Sequence, residues 1–366
     1  MISDNDKISN YQLNIFVILT IIEIGMAALP AILVKEVKSD AWILSIITGL
    51  VNIPFLYIVS KAAQKTSTQG FVGCLKSLFG KAAGTILAIP VLVYFLFMVG
   101  LESRLFGETV KMYFLQRTPI EFIVMPIIIE AVFLAKGGIE VIGRFFEAVF
   151  FPIVLINVLL ILIAIPKNDF TNLLPVFSAD IKEYFSAIIA GSNSFFGYEL
   201  LLIISPYIKE PKKMFKTSTK ALLIVTGFYT IAVILNLGKF GVEETKSLMF
   251  PVIALAKAID VPGSIFERAE GILMAVWVLH VFTTMAMITY LYSVVGAEII
   301  GHKGIKHIAT LYIPVVYLFG LLGDNVAQVF KNINMVGATL GIYTVIILPL
   351  LILIASYIKN KGGSKG

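Results

Sequence analysis

Long apolar segments are the feature that most constrains the fold of this chain. The first of them runs from Leu13 to Val34, and similar segments recur as far as Ile358. About 20 helical residues, at a rise of 1.5 Å each, cross a hydrocarbon core of roughly 30 Å. Inside that core every backbone N–H and C=O must be bonded within the protein, which only helices and closed barrels achieve. We therefore predict an all-α integral membrane protein.

The apolar segments predict about ten transmembrane helices within a single polytopic domain that spans residues 1–366. We expect the first segment to be retained, because it is too long for the core of a signal peptide. The predicted spans are Gln12–Val34, Trp42–Ser60, Thr85–Phe114, Pro119–Ala135, Phe145–Ile165, Tyr184–Ser205, Thr217–Leu237, Arg268–Ile300, Ile308–Leu322 and Val336–Ile358.

The charged residues agree with a membrane protein and exclude several other classes. Only 14% of the residues are charged, whereas a soluble domain carries about 25%. The net charge of +6 comes from lysines in the loops between predicted spans. The positive-inside rule then predicts cytoplasmic N- and C-termini, with the basic loops beside anionic membrane lipid. Nucleic-acid binding is not expected.

Cysteine and histidine usage gives no support for a metal site, a cofactor or an enzyme. The chain has one cysteine, Cys74, and three histidines, so neither a disulfide framework nor a zinc-ligand cluster is expected. It also has no Gly-rich phosphate loop ending in Lys-Ser or Lys-Thr and no His-Glu-x-x-His. We expect Cys74 to behave as an inert small hydrophobic residue.

Two predicted spans carry residues that favour an interrupted helix. In the first span, Glu23, Ile24, Gly25 and Met26 place a carboxylate and a glycine near mid-membrane, and Pro30 follows. In the sixth span, two glycines enclose a polar stretch within an apolar run. This second predicted break runs from Gly191 to Glu199 and includes Ser194 and Phe196; the candidate ligand-binding residues within it are Gly191, Ser192, Asn193, Phe195, Gly197, Tyr198 and Glu199.

The two predicted breaks suggest an internal repeat and a shared cavity. Each half of the chain, about 12–165 and 184–358, opens with an interrupted helix, and five spans per half require the second copy to be inverted in the membrane. Half-helices offer free N–H groups and free carbonyls, which together bind a zwitterion such as an amino acid. The alternative is that glycine and proline merely permit close packing or kinks in membrane helices.

Further polar residues lie within predicted spans. Glu102 and Arg104 occur in the third span, where isolated charges are costly. Because they are two residues apart, they point to different faces, and we expect each to pair with another span, with Glu23 or Glu199 as the candidates for Arg104. A structural ion pair and a ligand contact both remain open.

Aromatic and hydroxyl residues complete the set of candidates. Phe97 and Leu101, one helical turn apart, are predicted to wall an apolar pocket beside the breaks, together with Phe195, Phe196 and Tyr198. Ordinary helix packing is the more frequent explanation for such residues. His280, Thr283 and Thr284 lie midway along the eighth span. There His280 could relay a proton and the threonines could bind a ligand, or each threonine could bond to its own backbone.

One short helix is predicted outside the spans. Residues Pro251 to Ile259 have their own apolar period, and Asp260 and the Pro262-Gly263 turn close the segment. We expect this helix to lie on the outer mouth of the bundle.

Several of these residues resemble a known family, the B subunits of bacterial spore germinant receptors of the GerAB and GerKB type. The resemblance covers essentially the whole chain. Near the N-terminus it rests on Ile8, Ser9, Tyr11, Gln12, Gly25, Leu29, Pro30, Ala41 and Trp42. Later in the chain it rests on Pro251, Phe266, Glu267, Arg268, Glu270, Val276, Trp277 and Val278.

This resemblance implies a fold and a site. It implies the amino acid-polyamine-organocation (APC) transporter superfamily, with a LeuT/APC-like arrangement of five plus five inverted helices whose first and sixth members are broken. The ligand pocket that it implies comprises Gly25, Phe97, Leu101 and the segment Gly197–Glu199, together with Thr283 or Thr284.

The resemblance also implies a biological setting. The chain would sense a small-molecule germinant in the inner membrane of the spore, together with an A subunit and a lipoprotein C subunit. Glu23 and Glu199 favour a ligand that carries an ammonium group, so an amino acid is expected. A proton-coupled secondary amino-acid transporter is the alternative function, in which Glu102 or Glu199 would carry the proton.

Overall fold

The computed structural model describes residues 7–258, 269–302 and 304–363, and the description below refers to these residues. They form fifteen α-helices together with short 3₁₀ and π-helical segments. The helices are α1 (Asn10–Val37), α2 (Ala41–Thr66), α3 (Phe71–Phe79), α4 (Lys81–Tyr113), α5 (Glu121–Lys136), α6 (Ile139–Ala164), α7 (Ile181–Ser192), α8 (Leu201–Ile204), α9 (Met214–Ser247), α10 (Pro251–Lys257), α11 (Ala269–Ile300), α12 (Lys306–Leu311), α13 (Ile313–Gly320), α14 (Val326–Val336) and α15 (Leu348–Gly363).

The predicted all-helical membrane architecture is confirmed. Each of the ten predicted spans coincides with helical residues. Among the described residues, six helical stretches are long and apolar enough to cross a membrane, or seven if the bent pair formed by α7 and α8 counts as one span. One stretch, Gly25–Thr66, contains parts of two predicted spans joined by the 3₁₀ turn Lys38–Asp40. The number ten and the inverted repeat stay predictions.

Helix α1 lies at the centre of the bundle. It begins with a capping box in which Ser9 and Gln12 satisfy each other's backbone N–H groups. It packs most extensively against α9 and also against α11, α7 and α6. Nearly all its side chains from Leu13 to Val37 are buried, as expected for a helix that is apolar on every face.

The predicted break at Glu23-Ile24-Gly25-Met26 is wrong, because α1 is helical throughout and contains Pro30 in its interior. Gly25 instead permits close packing. A Cβ atom at this position would overlap the Tyr229 hydroxyl and would lie 2.8 Å from the Ser194 carbonyl oxygen. A proline inside a membrane helix is tolerated when neighbouring groups satisfy the backbone that it frees.

The predicted break in the sixth span is confirmed. Helix α7 ends at Ser192 and is followed by a 3₁₀ turn, Asn193–Phe195, and by extended backbone at Phe196. Gly197 then adopts a φ of 130°, a conformation that residues with a side chain rarely adopt. The two halves of the span meet at 51°.

The helical stretch that contains the last predicted span begins at Val326, earlier than expected. It starts with α14, which is capped by the Asn325 side chain; the side-chain oxygen of Asn325 accepts a hydrogen bond from the N–H of Gln328. Two π-helical segments, Gly337–Gly341 and Tyr343–Ile347, then connect α14 to α15. The glycines of the first π-helical segment serve close packing, because a Cβ at Gly337 would touch Asn193 and one at Gly341 would touch Phe196.

The short helix predicted after the seventh span is present as α10. It packs against α1, α9, α11 and α6, and its position at an outer mouth stays a prediction. Residues 259–268 lie outside the described residues, so Asp260, the Pro262-Gly263 turn and the motif beginning at Phe266 are not described.

Cys74 lies on α3, which is not among the candidate spans. The thiol is buried, and this burial raises its pKa. A cysteine of this kind is unreactive, because the thiolate is the reactive form.

Candidate ligand-binding cavity

A cavity lies where the break between α7 and α8 meets α1, α4, α11 and α14. It offers about 90 Å³ to the centres of water-sized molecules, whereas one water needs about 10–15 Å³ on this measure. The cavity therefore has room for several waters or for a small organic molecule.

Seven of the predicted site residues line this cavity. They come from four separate parts of the chain, which the fold brings together at the break. They are Glu23, Gly25, Glu102, Asn193, Gly197, Glu199 and Thr284. Their role in ligand binding stays a prediction.

Four predicted residues around the break serve its packing and do not line the cavity. Gly191 lies against Leu33 of α1, and the Ser192 hydroxyl donates to the Ile188 carbonyl at 2.6 Å. The Phe195 ring is fully buried and lies edge-on to Tyr229, with 5.0 Å between ring centroids. Tyr198 donates from its hydroxyl to the side-chain oxygen of Asn52 at 3.0 Å.

Four predicted residues on other helices also point away from the cavity. Phe97 stacks on Phe319 of α13 with 4.0 Å between ring centroids, and Leu101 is fully buried in the core. The Thr283 hydroxyl donates to the His280 carbonyl of its own helix at 2.8 Å, which is the alternative that the sequence left open. Met26 lines two smaller cavities instead. The side chain of Ile24 is not among those described.

The predicted wall residues Phe97 and Leu101 lie on a face of α4 that does not line the cavity. Tyr94 and Met98 line the cavity together with Glu102, and the three residues are spaced by four. Phe97 and Leu101 have the same spacing but occupy the neighbouring face. Residues four and eight positions before Glu102 lie on the same helix face, so the helical period predicts Met98 and Tyr94 as further lining residues.

Two further residues of the predicted break, Ser194 and Phe196, also line the cavity. Other lining residues were not predicted, among them Thr20, which lies one turn before Glu23 on α1. The missed helix α14 contributes a wall whose residues recur at the three- and four-residue spacing of one helix face. These wall residues are Phe330, Ile333, Asn334 and the adjoining Gly337.

The carboxyl groups of Glu23 and Glu102 meet across the cavity wall. Each residue is only 3% exposed, and the two carboxyl groups lie close enough to interact with each other. Within the described residues, the Oε2 atom of each has no hydrogen-bond partner. The Thr20 hydroxyl, which lines the same cavity, also lacks a partner there.

The third carboxylate, Glu199, is satisfied by the break itself. Its Oε1 accepts a hydrogen bond from the Tyr94 hydroxyl at 3.0 Å, and its Oε2 accepts one from the Gly197 N–H at 2.6 Å. Glu199 thus closes the break at the start of the second half-span. The backbone amide of Gly197 is thereby not free to bind a ligand carboxylate.

Tyr229 of α9 ties the break to α1. Its hydroxyl lies 2.7 Å from the Ile21 carbonyl and 2.9 Å from the Ser194 carbonyl. Thr284 of α11 similarly donates to the Leu19 carbonyl at 3.1 Å. Two hydroxyls from neighbouring helices therefore bond to the α1 backbone where it passes the cavity.

The expectation that Arg104 pairs with Glu23 or Glu199 is wrong. Its guanidinium instead lies 2.8 Å from the carboxylate of Glu108, four residues further along α4. A pair at this spacing lies on one helix face and was readable from the sequence. No cation among the described residues forms an ion pair with the carboxylates of the cavity.

A second, smaller cavity also adjoins Glu23. It offers about 20 Å³ to water centres, enough for one water. Asn157, Trp277 and His280 line it together with Glu23, and the His280 Nε2 lies 3.5 Å from the Asn157 side-chain nitrogen. Glu23 therefore lines both cavities.

Comparison with known proteins identifies similar sequences along nearly the whole chain. The family described as spore germination protein matches residues 7–329. Spore germination protein YndE of Bacillus subtilis is 27% identical over 363 residues, which cover 99% of each chain. Spore germination protein A2 of the same organism is 29% identical over 334 residues, which cover 90% of this chain and 91% of the relative.

Two further similarities concern another Bacillus species and the fold. Spore germination protein GerLB of Bacillus cereus is 23% identical over 363 residues, which cover 98% of this chain and 96% of the relative. The crystal structure of MhsT in complex with L-phenylalanine superposes with a TM-score of 0.64 at 14% identity, covering 96% of this chain and 99% of MhsT. At this identity the similarity concerns the fold alone, and it supports a LeuT-like arrangement.

Proposed function

The chain belongs to the spore germination protein family, and on this premise we propose that it is the nutrient-sensing membrane subunit of a germinant receptor. In this proposal a small amine-bearing ligand, an amino acid, binds in the cavity beside the break between α7 and α8. The receptor lies in the inner membrane of the spore and crosses it about ten times in two inverted halves. Both termini face the cytoplasm.

The observation that carries the proposal is the cavity at the broken helix. Non-helical backbone at membrane depth is tolerated where it lines a cavity, and the segment Asn193–Gly197 does so here. Thr20, Glu23 and Glu102, each with a buried side-chain oxygen that lacks a hydrogen-bond partner within the described residues, line the same cavity. The cavity is thus rich in hydrogen-bond acceptors, which suits a ligand that carries an ammonium group. The fold is shared with MhsT, whose structure contains L-phenylalanine.

The position of the cavity also suits a sensor. It lies between α1, α4, α11, α14 and the two halves of the broken span, so a ligand there contacts elements that can shift relative to one another. A ligand that binds one arrangement more tightly shifts the population towards it. Partner A and C subunits of the receptor would read this shift, as the family resemblance implies.

A proton-coupled secondary transporter is the second candidate. The buried Glu23–Glu102 pair favours it, because ionisable residues within transmembrane segments often carry protons in transporters. Purified protein in liposomes separates the two functions. A sensor binds radiolabelled amino acid without accumulating it, whereas a transporter accumulates it when a proton gradient is imposed.

Equilibrium binding to a variant with a filled cavity tests the site. Ala28 lines the cavity and is 5% exposed, so Ala28→Leu occupies ligand space. Ala83→Leu, at an exposed position on α4, is the matched control. We expect a thermal-shift screen of the standard L-amino acids to identify a ligand for the wild type and for A83L. Undiminished binding to folded A28L would contradict the proposed site.

A further inference from the structure

The contact between Glu23 and Glu102 requires a proton. Two carboxylates carry only acceptor atoms, so a hydrogen bond between them exists only if at least one is protonated. Two negative charges in contact at a buried site cannot both ionise without a compensating cation. Both residues are 3% exposed, and no cation among the described residues pairs with either of them. In the ligand-free state the pair therefore shares a proton.

Three oxygen atoms of residues that line the main cavity lack hydrogen-bond partners within the described residues. They are the Oε2 atoms of Glu23 and Glu102 and the hydroxyl oxygen of Thr20. All three residues line the main cavity and are more than nine-tenths buried. A primary ammonium group carries three N–H donors. The number and chemistry of the unpartnered atoms match such a group.

We propose that Glu23, Glu102 and Thr20 form an ammonium site in which the guest displaces the proton that the two carboxyl groups share. This inference rests on the proposed function and names the ligand's recognition group. On binding, the O–H bond of the carboxyl pair breaks, and the proton leaves to bulk water. The guest stays R–NH₃⁺, and the pair changes from one negative charge to two. The total charge of the occupied site is unchanged.

Three other titratable groups around the pair have partners of their own, whereas the Nδ1 atom of a fourth, His280, has none within the described residues. Tyr94 of α4 donates to Glu199, and Glu199 accepts a second bond from the Gly197 amide. Tyr229 of α9 bonds to backbone carbonyls. His280 of α11 lies beside Asn157 in the smaller cavity.

The cation closest in sequence to Glu102 also has a partner. Arg104, two residues beyond Glu102, pairs with Glu108. The Glu23–Glu102 carboxyl pair is therefore the group that must lose a proton when a cation enters the cavity. His280→Gln serves to exclude a contribution from the imidazole, and we expect it to retain proton release.

The site also predicts which part of an amino acid is recognised. The Gly197 amide is already bonded to Glu199, so the ligand carboxylate finds no free donor at that point of the break. Binding should depend on the amine more than on the carboxylate. Decarboxylated amines should bind, and N-acetylated amino acids, which lack the ammonium group, should not.

Calorimetry in two buffers with different ionisation enthalpies measures the released proton. The probes are the strongest binder among the standard L-amino acids, its decarboxylated amine and its N-acetyl derivative. We expect one proton released per ligand and an affinity that rises about tenfold per pH unit while the ligand amine stays charged. Glu102→Gln keeps a hydrogen bond to Glu23 without a shared proton, so release should fall to zero and binding should become independent of pH. Glu130→Gln, on an exposed face of α5, should behave as wild type.

A second variant keeps the test valid if Glu102→Gln does not fold. Thr20→Val removes one acceptor, so it should weaken binding by about tenfold, as for a lost hydrogen bond to a charged group, and retain proton release. Ligand binding without proton release, equal binding of the N-acetyl derivative, or stabilisation by sodium ions alone would overturn the inference. If no amino acid binds at all, the proposed function itself fails, and this inference fails with it.

Discussion

Gly25→Ala tests whether this glycine serves close packing rather than local unwinding. In the structure the added Cβ would lie 2.6 Å from the Tyr229 ring carbon that bears the hydroxyl and 2.8 Å from the Ser194 carbonyl oxygen. Both neighbours are held in place, because the Tyr229 hydroxyl bonds to backbone carbonyls on α1 and on the break. Overpacking of this kind costs about 1–3 kcal/mol.

The matched control is Gly227→Ala on α9. A Cβ there would meet no atom within 4 Å, so the change should leave stability unaltered or raise it by up to about 1 kcal/mol through helix propensity. Melting temperatures of the purified variants, followed by tryptophan fluorescence, measure the difference. We expect G25A to melt lower than wild type and G227A to melt at the same temperature or higher.

A double variant identifies the atom responsible. Tyr229→Phe alone removes the hydroxyl and leaves two buried carbonyls with one donor fewer, at a cost of about 1–3 kcal/mol. In G25A/Y229F the new methyl group occupies part of the space that the hydroxyl leaves. The loss of stability in the double variant should therefore be smaller than the sum of the losses in the two single variants. Additive effects, or equal melting of G25A and G227A, would refute the packing role of Gly25.

Three further predictions concern backbone and loop contacts, each measured as a melting temperature against wild type. Gly197→Ala should destabilise the fold by about 1–3 kcal/mol, because the φ of 130° is strained for a residue with a side chain; an unchanged melting temperature would contradict the described break. Asp40→Asn should lower the free energy of unfolding by about 2–3 kcal/mol, since this buried carboxylate accepts hydrogen bonds from the N–H groups of the segment Phe177–Ala179. Faster amide exchange confined to that segment would support this prediction. Glu298→Gln should cost about 1–2 kcal/mol and speed amide exchange in α3, because Glu298 accepts the Val72 N–H at 2.6 Å; protection of α3 equal to wild type would argue against this anchor.

The helices themselves could be predicted because their signal is local. Long apolar segments place the spans, and each predicted span coincides with helical residues. The break in the sixth span was predictable for the same reason. Two glycines and three polar residues within nine positions leave few helical alternatives in an apolar environment.

The first predicted break fails because one local pattern has two physical causes. A glycine in a membrane helix serves unwinding or close approach, and the sequence around Gly25 does not distinguish them. The deciding contact comes from Tyr229, about two hundred residues later in the chain. Only the fold brings these two residues together.

The site was predicted in part for a similar reason. The polar residues Glu23, Glu102, Asn193 and Glu199 stand out in apolar spans, and all four line the cavity. The apolar lining did not stand out, because Phe97 and Met98 are equally plausible wall residues until the direction of Glu102 is known. The meeting of Glu23 and Glu102 depends on the packing of two helices, which no local pattern encodes.

The central claim is that a small amine-bearing ligand binds at the break of the sixth span. A structure of the protein determined with its strongest amino-acid ligand tests this claim most directly. We expect ligand density between the segment Asn193–Gly197 and the two carboxyl groups of Glu23 and Glu102, with the ligand amine directed towards the carboxyl groups. Density at another position, with this cavity empty or filled only by water, would contradict it.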